Sequence, residues 1–475
     1  MDRINRIDEI QTRARPGSCC NPVNLVNPVY SSSLLLFIRV YLRLSAVVVL
    51  LLVAAAPAWA ILPIQHWQTA SGARVYFVEN HDLPMLDLSV EFPAGAGYDR
   101  AEKSGAASMT NRLLRLGADG MSEDEIARRV ADIGAQLGGR FDTDRAGLSL
   151  RTLSSTGERR EALDIFARIL RLPEFPSQVL EREKVRLIGA LKEADTKPDT
   201  IAALTFYRLV FRDHPYALRS SGEVATVGKL AREDLIEFYQ RHYAARYAVV
   251  ALMGDVTRAE AEAIAEEVTR GLPQAGDEEP QLPPVAELAA GAMRMIAHPA
   301  SQAHILIGAP GIRRDDPDYF PLFIGNYVLG GGGFVSRITE EVRQKRGLAY
   351  SAYSYFSPLK QQGPFLIGMQ TRRDQAREAL EVVQKTLREF VAQGPTEQEL
   401  AAARQNIVGG FPLRIDSNRK IHEYLALIGF YRLPPTYLED FVGNVERVSI
   451  ADVRDAFRRR VRPERMVTVV VGADK

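Results

Sequence analysis

Cysteine is nearly missing from this 475-residue chain, which carries only Cys19 and Cys20. Everything after residue 20 is thiol-free, so the globular part has no disulfide framework and no cysteine-based zinc site. Net charge is nearly missing as well: 60 basic and 59 acidic residues leave +1, which removes the electrostatic reason to expect nucleic acid. Histidine is sparse. His66, His81, His214, His242, His298, His304 and His422 include no pair spaced i, i+4 on a helix, so a two-histidine zinc helix is absent. The apolar run Ala46 to Ala56 falls short of the roughly 20 residues that a spanning helix needs. What remains is an ordinary globular composition, 46% hydrophobic and 25% charged, with room for two or more domains.

The run at Ala46 has another use. Arg39 and Arg43 precede it and Ala58-Trp59-Ala60 follows it, which is the pattern of a signal peptide. Cleavage after Ala60 and export to a bacterial periplasm are expected, leaving no stable membrane span in the mature chain. The polar stretch Met1 to Ser33 is unusual ahead of such a signal and fits a start codon assigned too early.

The remainder is read as a duplication. Strands are expected over residues 73–79 and 85–92, around the turn at Asp82-Leu83-Pro84. In the second strand Leu86, Leu88, Val90 and Phe92 alternate with Asp87, Ser89 and Glu91. Helices are expected from Lys103 to Leu116, from Glu123 (capped by Ser122 and Glu125), from Glu158 to Leu170, and over Asp234 to His242. The segment from Leu230 to Asp255 then resembles the one from Val448, aligning Gly254 with Gly472 at an offset of 218. Pro176 matches Pro395 and Leu86 matches Ile305, both at 219. That period is far too long for a solenoid of about 20–50-residue units and indicates a duplicated domain. The expected organisation is an N-terminal extension and signal peptide (1–60), a first domain (61–270), a linker (271–290) and a second domain (291–475). Gly271 to Pro284 has the composition of an exposed tether that permits hinge motion. The fold class is α+β, with helices packed on one face of a largely antiparallel sheet in each half.

One stretch stands apart: LGGGGFVSRITEEVRQKRGLAYSAYSY, Leu329 to Tyr355. Gly330, Gly331, Gly332 and Gly333 open it, a short helical segment spans Ser336 to Lys345, and a β-prone Tyr/Ser alternation closes it. Arg343 and Tyr350 lie seven residues apart, one near a helix end and one on the next strand. A fixed guanidinium and a phenol beside a glycine-rich rim can hold a peptide carbonyl and stabilise charge developing on it. The same residues also fit a helix end, a solvated charge and a core ring. A phosphate loop is excluded, because no Gly-Lys-Ser/Thr follows.

With FPAGAGYD at Phe92 to Asp99, DHPY at Asp213 to Tyr216 and YAVVALMGD at Tyr247 to Asp255, this stretch resembles the pitrilysin and mitochondrial-processing-peptidase family of zinc peptidases. The resemblance covers nearly all of Trp67 to Ala473 and implies two α/β-sandwich domains forming half of a clam shell. It also implies a His-x-x-Glu-His helix in the first domain, with two zinc ligands, a general base and a later glutamate as third ligand. Here the equivalent segment is Gly105 to Ala118. Ser108 and Arg112 stand at the histidine positions, Asn111 at the base, and the third ligand falls near Ala190. None of these can do the work, so the chain has no metal and no catalytic residue of its own. Arg343 and Tyr350 keep the spacing of the family's substrate-binding pair, and Gly330 to Gly333 fit a substrate-contacting rim.

Two functions are compatible with this combination. One is a non-catalytic subunit of a heterodimeric zinc metallopeptidase, with peptide substrates and with zinc in a homologous partner subunit. The other is a catalytically silent structural or peptide-binding scaffold.

Overall fold

The computed structural model describes residues 63–274 and 278–473. The signal-peptide segment, its expected cleavage site and both cysteines lie outside the described residues.

The first half contains β1 (Gln65–Gln68), β2 (Arg74–Glu79), β3 (Met85–Phe92), the short pair β4 (Gly117–Ala118) and β5 (Met121–Ser122), β6 (Gln136–Phe141), β7 (Ala146–Leu153) and β8 (Val249–Gly254). The second contains β9 (Ala292–Ile296), β10 (Gln302–Pro310), β11 (Ala349–Phe356), β12 (Pro364–Arg372) and β13 (Val467–Val471). The first large sheet runs β1-β2-β8-β3-β7-β6 and the second β9-β13-β10-β12-β11. From β2 onward the two orders correspond strand for strand. In each sheet one pair is parallel, β2 with β8 and β9 with β13, and the other neighbours are antiparallel. The duplication read from the sequence is therefore present in the topology.

One strand match needs correction. Leu86 pairs with Thr152 and Gly254. Ala303, not Ile305, pairs with Thr371 and lies beside Gly472. The equivalent of Leu86 is thus two residues earlier than expected. A slip of two keeps every side chain on the same face, so alternation alone could not detect it. Gly254 and Gly472 do occupy matching corners. Their φ values are +137° and +86°, and a Cβ on Gly254 would lie 2.1 Å from the Met85 carbonyl oxygen.

Each half packs its own helices on one face of its sheet, but the opposite face is covered too. Helix Pro198–Phe211 leaves the first half and packs on β10 and β13. Helix Asn418–Tyr431 leaves the second half and packs on β2, β3 and β8. The halves therefore exchange helices, and the expected one-sided sheets are corrected to two-sided ones. This is why Asp87, Ser89 and Glu91 on β3 are buried although they alternate with apolar residues. Their charges are matched from within the sheet. Arg151 donates to Asp87 through two bonds of 2.7 Å, and Arg145 donates to Glu91 at 3.1 Å. Arg145 also lies over the Phe430 and Tyr431 rings of the incoming helix, 5.8 and 5.7 Å from their centroids. On the same helix, burial pushes the His422 imidazole down to about 4, so it is neutral at pH 7.

The tether is stitched down as well. Leu282, Val285 and Leu288 are buried in one cluster with Phe206, Phe211 and Tyr216. Tyr247 donates to the Glu278 carbonyl at 2.6 Å, and the Gln361 amide donates to the Leu282 carbonyl at 3.1 Å. In the DHPY turn, His214 Nε2 lies 2.8 Å from the Pro283 carbonyl oxygen and Nδ1 accepts the Tyr216 N–H at 3.0 Å. That histidine is a brace for the linker, and residues 278–288 are not a free hinge.

Because each half's core contains a helix of the other, the two halves should unfold together. Gly429 is where the exchanged helix comes closest: a Cβ there would meet Val249 Cγ1 at 2.5 Å and the Tyr76 ring at 2.7 Å. Gly429→Val is expected to cost about 1–3 kcal/mol by overpacking. Calorimetry should show the midpoint lowered while a single transition is kept. A split into two transitions would contradict the shared core.

Candidate functional site

The Arg343 rim is built from β11 and the turns before it. Among the described residues β11 forms the outer edge of the second sheet and is paired only with β12. Its register slips between Ala349 and Ser351, so Tyr350 is the extra residue of a β-bulge. A bulge re-aims its side chain, and Tyr350 is 81% exposed. Arg343 sits in a widened helical turn, where the Lys345 N–H reaches the Glu340 carbonyl at 2.9 Å, five residues back. Its guanidinium lies between two rings, 4.6 Å from the Tyr350 centroid and 4.5 Å from that of Phe334. Each is a cation–π contact, and together they restrain the planar cation. No shared hydrogen bond joins the Arg343 and Tyr350 side chains; stacking brings them together. Lys345 and Arg346 are both bound to Glu341, at 2.6 and 2.5 Å.

The four glycines divide into two kinds. Gly330 is buried, and a Cβ there would lie 2.4 Å from Ser354 Oγ, so it lets this turn sit directly against β11. Gly333 has φ +62° with open space around it. Past it, Phe334 and Val335 are exposed. The rim that faces outward is therefore Gly331, Gly333, Phe334 and Val335, and Phe334 is a site residue that the sequence reading missed. Its signal was available: an aromatic residue directly after a glycine run, within reach of an arginine on the next helical turn.

The corner where the resemblance places a metal lies in the other half. Asp99 opens it by accepting the Gly105 N–H at 2.7 Å and the Ala107 N–H at 2.8 Å, capping helix Ala106–Leu113. On that helix Asn111 points inward and donates to the Gly147 carbonyl at 2.8 Å, which ties the helix to β7. Ser108 is half-buried and Arg112 exposed. Ala190 lies on the exposed side of helix Ser177–Ala194. The residue of that helix which reaches Arg112 is Glu183, seven positions before Ala190. Glu183 is 1% exposed. Its Oε2 accepts from Arg112 Nε and Nη2, both at 2.6 Å. Its Oε1 accepts from Arg182 at 3.0 Å and Arg186 at 2.9 Å. Burial alone would raise the Glu183 pKa, but the Arg112 and Arg182 bonds outweigh it and hold the carboxyl below its usual range. A guanidinium thus bridges the two helices. Among the described residues, no group of three or more His, Cys, Asp or Glu side chains is placed to hold a metal ion. The two corners occupy matching places in the repeat, beside the edge strands β6 and β11.

Comparison with known proteins identifies the family. Residues 74–222 match the family model described as insulinase (peptidase family M16), and residues 229–407 match the peptidase M16 inactive domain. The crystal structure of a peptidase M16 inactive domain from Pseudomonas fluorescens is 37% identical, with a TM-score of 0.84 over 87% of this chain and 98% of that one. The non-peptidase homolog YmxG of Helicobacter pylori is 25% identical over 84% of this chain and 92% of its own length. An uncharacterized zinc protease of Streptomyces coelicolor is also 25% identical, over 78% of this chain and 81% of its own length. A protease from Helicobacter pylori shares the fold at 16% identity, with a TM-score of 0.80 over 86% of this chain and all of that one. The chain belongs to the M16 peptidase family, and the members it resembles include ones described as inactive or as non-peptidase homologues.

Proposed function

We propose that the chain is the non-catalytic subunit of a heterodimeric zinc metallopeptidase, exported to the periplasm. A homologous partner carries the zinc. This chain presents Arg343 and Tyr350 across the shared cavity and contributes peptide-binding surface along an open sheet edge. One observation carries the reading: the Arg343 guanidinium lies over both the Phe334 and Tyr350 rings, and those two rings are exposed at the rim. A guanidinium fixed in this way is suited to holding a peptide carbonyl and the oxyanion that forms from it. Without a nucleophile the clamp does nothing, so the isolated chain is inert.

The test is reconstitution. The purified chain should contain no zinc and cleave no peptide alone, and activity should appear on mixing with a partner bearing His-x-x-Glu-His. A partner that is fully active by itself and is not accelerated by this chain would assign the chain to a scaffold role.

A further inference from the structure

The corner around Glu183 carries more positive charge than it can use. Arg112, Arg182 and Arg186 all bond to one carboxylate, and Arg182 is shared with Glu123 at 2.5 Å. Nearby Arg115 lies against the edge strand, with its Nη2 3.3 Å from where a Cβ on Gly139 would be, and its buried Nε has no hydrogen-bond partner. Three guanidinium groups therefore share Glu183, one of them also bound to Glu123, and Arg115 lies near Arg112. Glu183 is sealed from water, whereas Arg112 and Arg186 are mostly exposed, each with N–H groups directed at solvent.

The edge strand beside them is β6, whose outer backbone edge is paired with no strand among the described residues. Its central residues Gly138 and Gly139 have no side chains to hold a neighbouring backbone away. A row of unpaired peptide groups and a cluster of surplus guanidinium groups thus lie together. The first binds a backbone, and the second binds carboxylates through charge-assisted forked bonds.

We infer that the vacated metal corner is a receptor for an acidic peptide segment, which adds as a strand to β6 and places a carboxylate against Arg112 and Arg186. The inference rests on reading the chain as a peptide-binding subunit, but it requires neither the partner nor Arg343. It gives the erased half a role in selecting substrates.

The experiment uses the full mature chain alone and measures fluorescence anisotropy with a labelled, end-capped hexaglutamate peptide and its hexaglutamine counterpart. Hexaglutamate should bind about tenfold more tightly at low salt, with the advantage shrinking as ionic strength rises. Arg112→Gln with Arg186→Gln leaves Arg182 on Glu183 and should remove the preference. Arg377→Gln with Arg388→Gln makes the same charge change on an exposed helix of the other half and should leave it intact. Inorganic phosphate at matched ionic strength should displace the peptide no better than chloride. Equal binding of the two peptides, equal losses in both double variants, or preferential displacement by phosphate would each overturn the inference. Reconstituted activity on a neutral peptide should survive in the Arg112/Arg186 variant, so this failure is distinguishable from failure of the subunit assignment.

Discussion

Arg343→Ala in the reconstituted complex is expected to lower kcat about a hundredfold, close to the 3 kcal/mol or so that one oxyanion donor supplies. The magnitude follows from geometry. The guanidinium is flanked by two rings and so is already oriented before substrate arrives, and orientation prepaid in this way is what makes a donor effective. Arg343→Lys should recover little, because an ammonium neither stacks as a plane nor forks toward an oxygen. Tyr350→Phe keeps the ring over the guanidinium and deletes only the hydroxyl, so it isolates any contribution from the phenol. Phe334→Leu removes one stacking face and should give a loss between those of wild type and Arg343→Ala. Tyr350 and Phe334 are exposed and Arg343 is half-buried with its guanidinium against them, so the thermal midpoint should change little. Full activity in Arg343→Ala, measured under saturating partner, would remove the basis for the clamp.

Asp144→Ala is expected to be the most destabilising single change. Asp144 is entirely buried, on the turn between β6 and β7. It accepts the Tyr216 hydroxyl at 2.6 Å, the Tyr431 hydroxyl at 2.9 Å and the Lys360 backbone N–H at 2.7 Å. Those donors come from the DHPY turn, the exchanged helix and the loop before β12, so one side chain joins both halves. Truncation leaves three donors away from water, at about 1–3 kcal/mol each. A total of about 3–9 kcal/mol is a large share of the roughly 5–15 kcal/mol that keeps a protein folded. Tyr431→Phe removes one donor and should cost about 1–2 kcal/mol. Denaturant titration gives both values, and a loss under about 1 kcal/mol for Asp144→Ala would show that the turn relaxes to water.

Some of this was legible in the chain itself. The strands at Arg74 and Met85 start within one residue of their expected positions, because strict alternation leaves little freedom in where a strand begins. The cap read at Ser122 and Glu125 forms, the Glu125 N–H donating to Ser122 Oγ at 3.2 Å, because its partners are three residues apart. The pairing of Arg343 with Tyr350 was readable as a spacing, since a short connection limits how far two residues can separate. Glu183 was not. It is 71 positions from Arg112, and only the packing of two helices decides which turn of the second faces the first.

The sequence by itself determined the duplication and the α+β class, because these depend on residue type and local order. Only the tertiary structure decided that the halves trade the helices at Pro198 and Asn418, that Asp87 and Glu91 face a covered sheet, and that Glu183 receives three arginines. Periodicity tells a residue which side of its own element it occupies. What lies against that side is set by segments as distant in the chain as Asp144 and Tyr431, brought together by the burial of apolar surface.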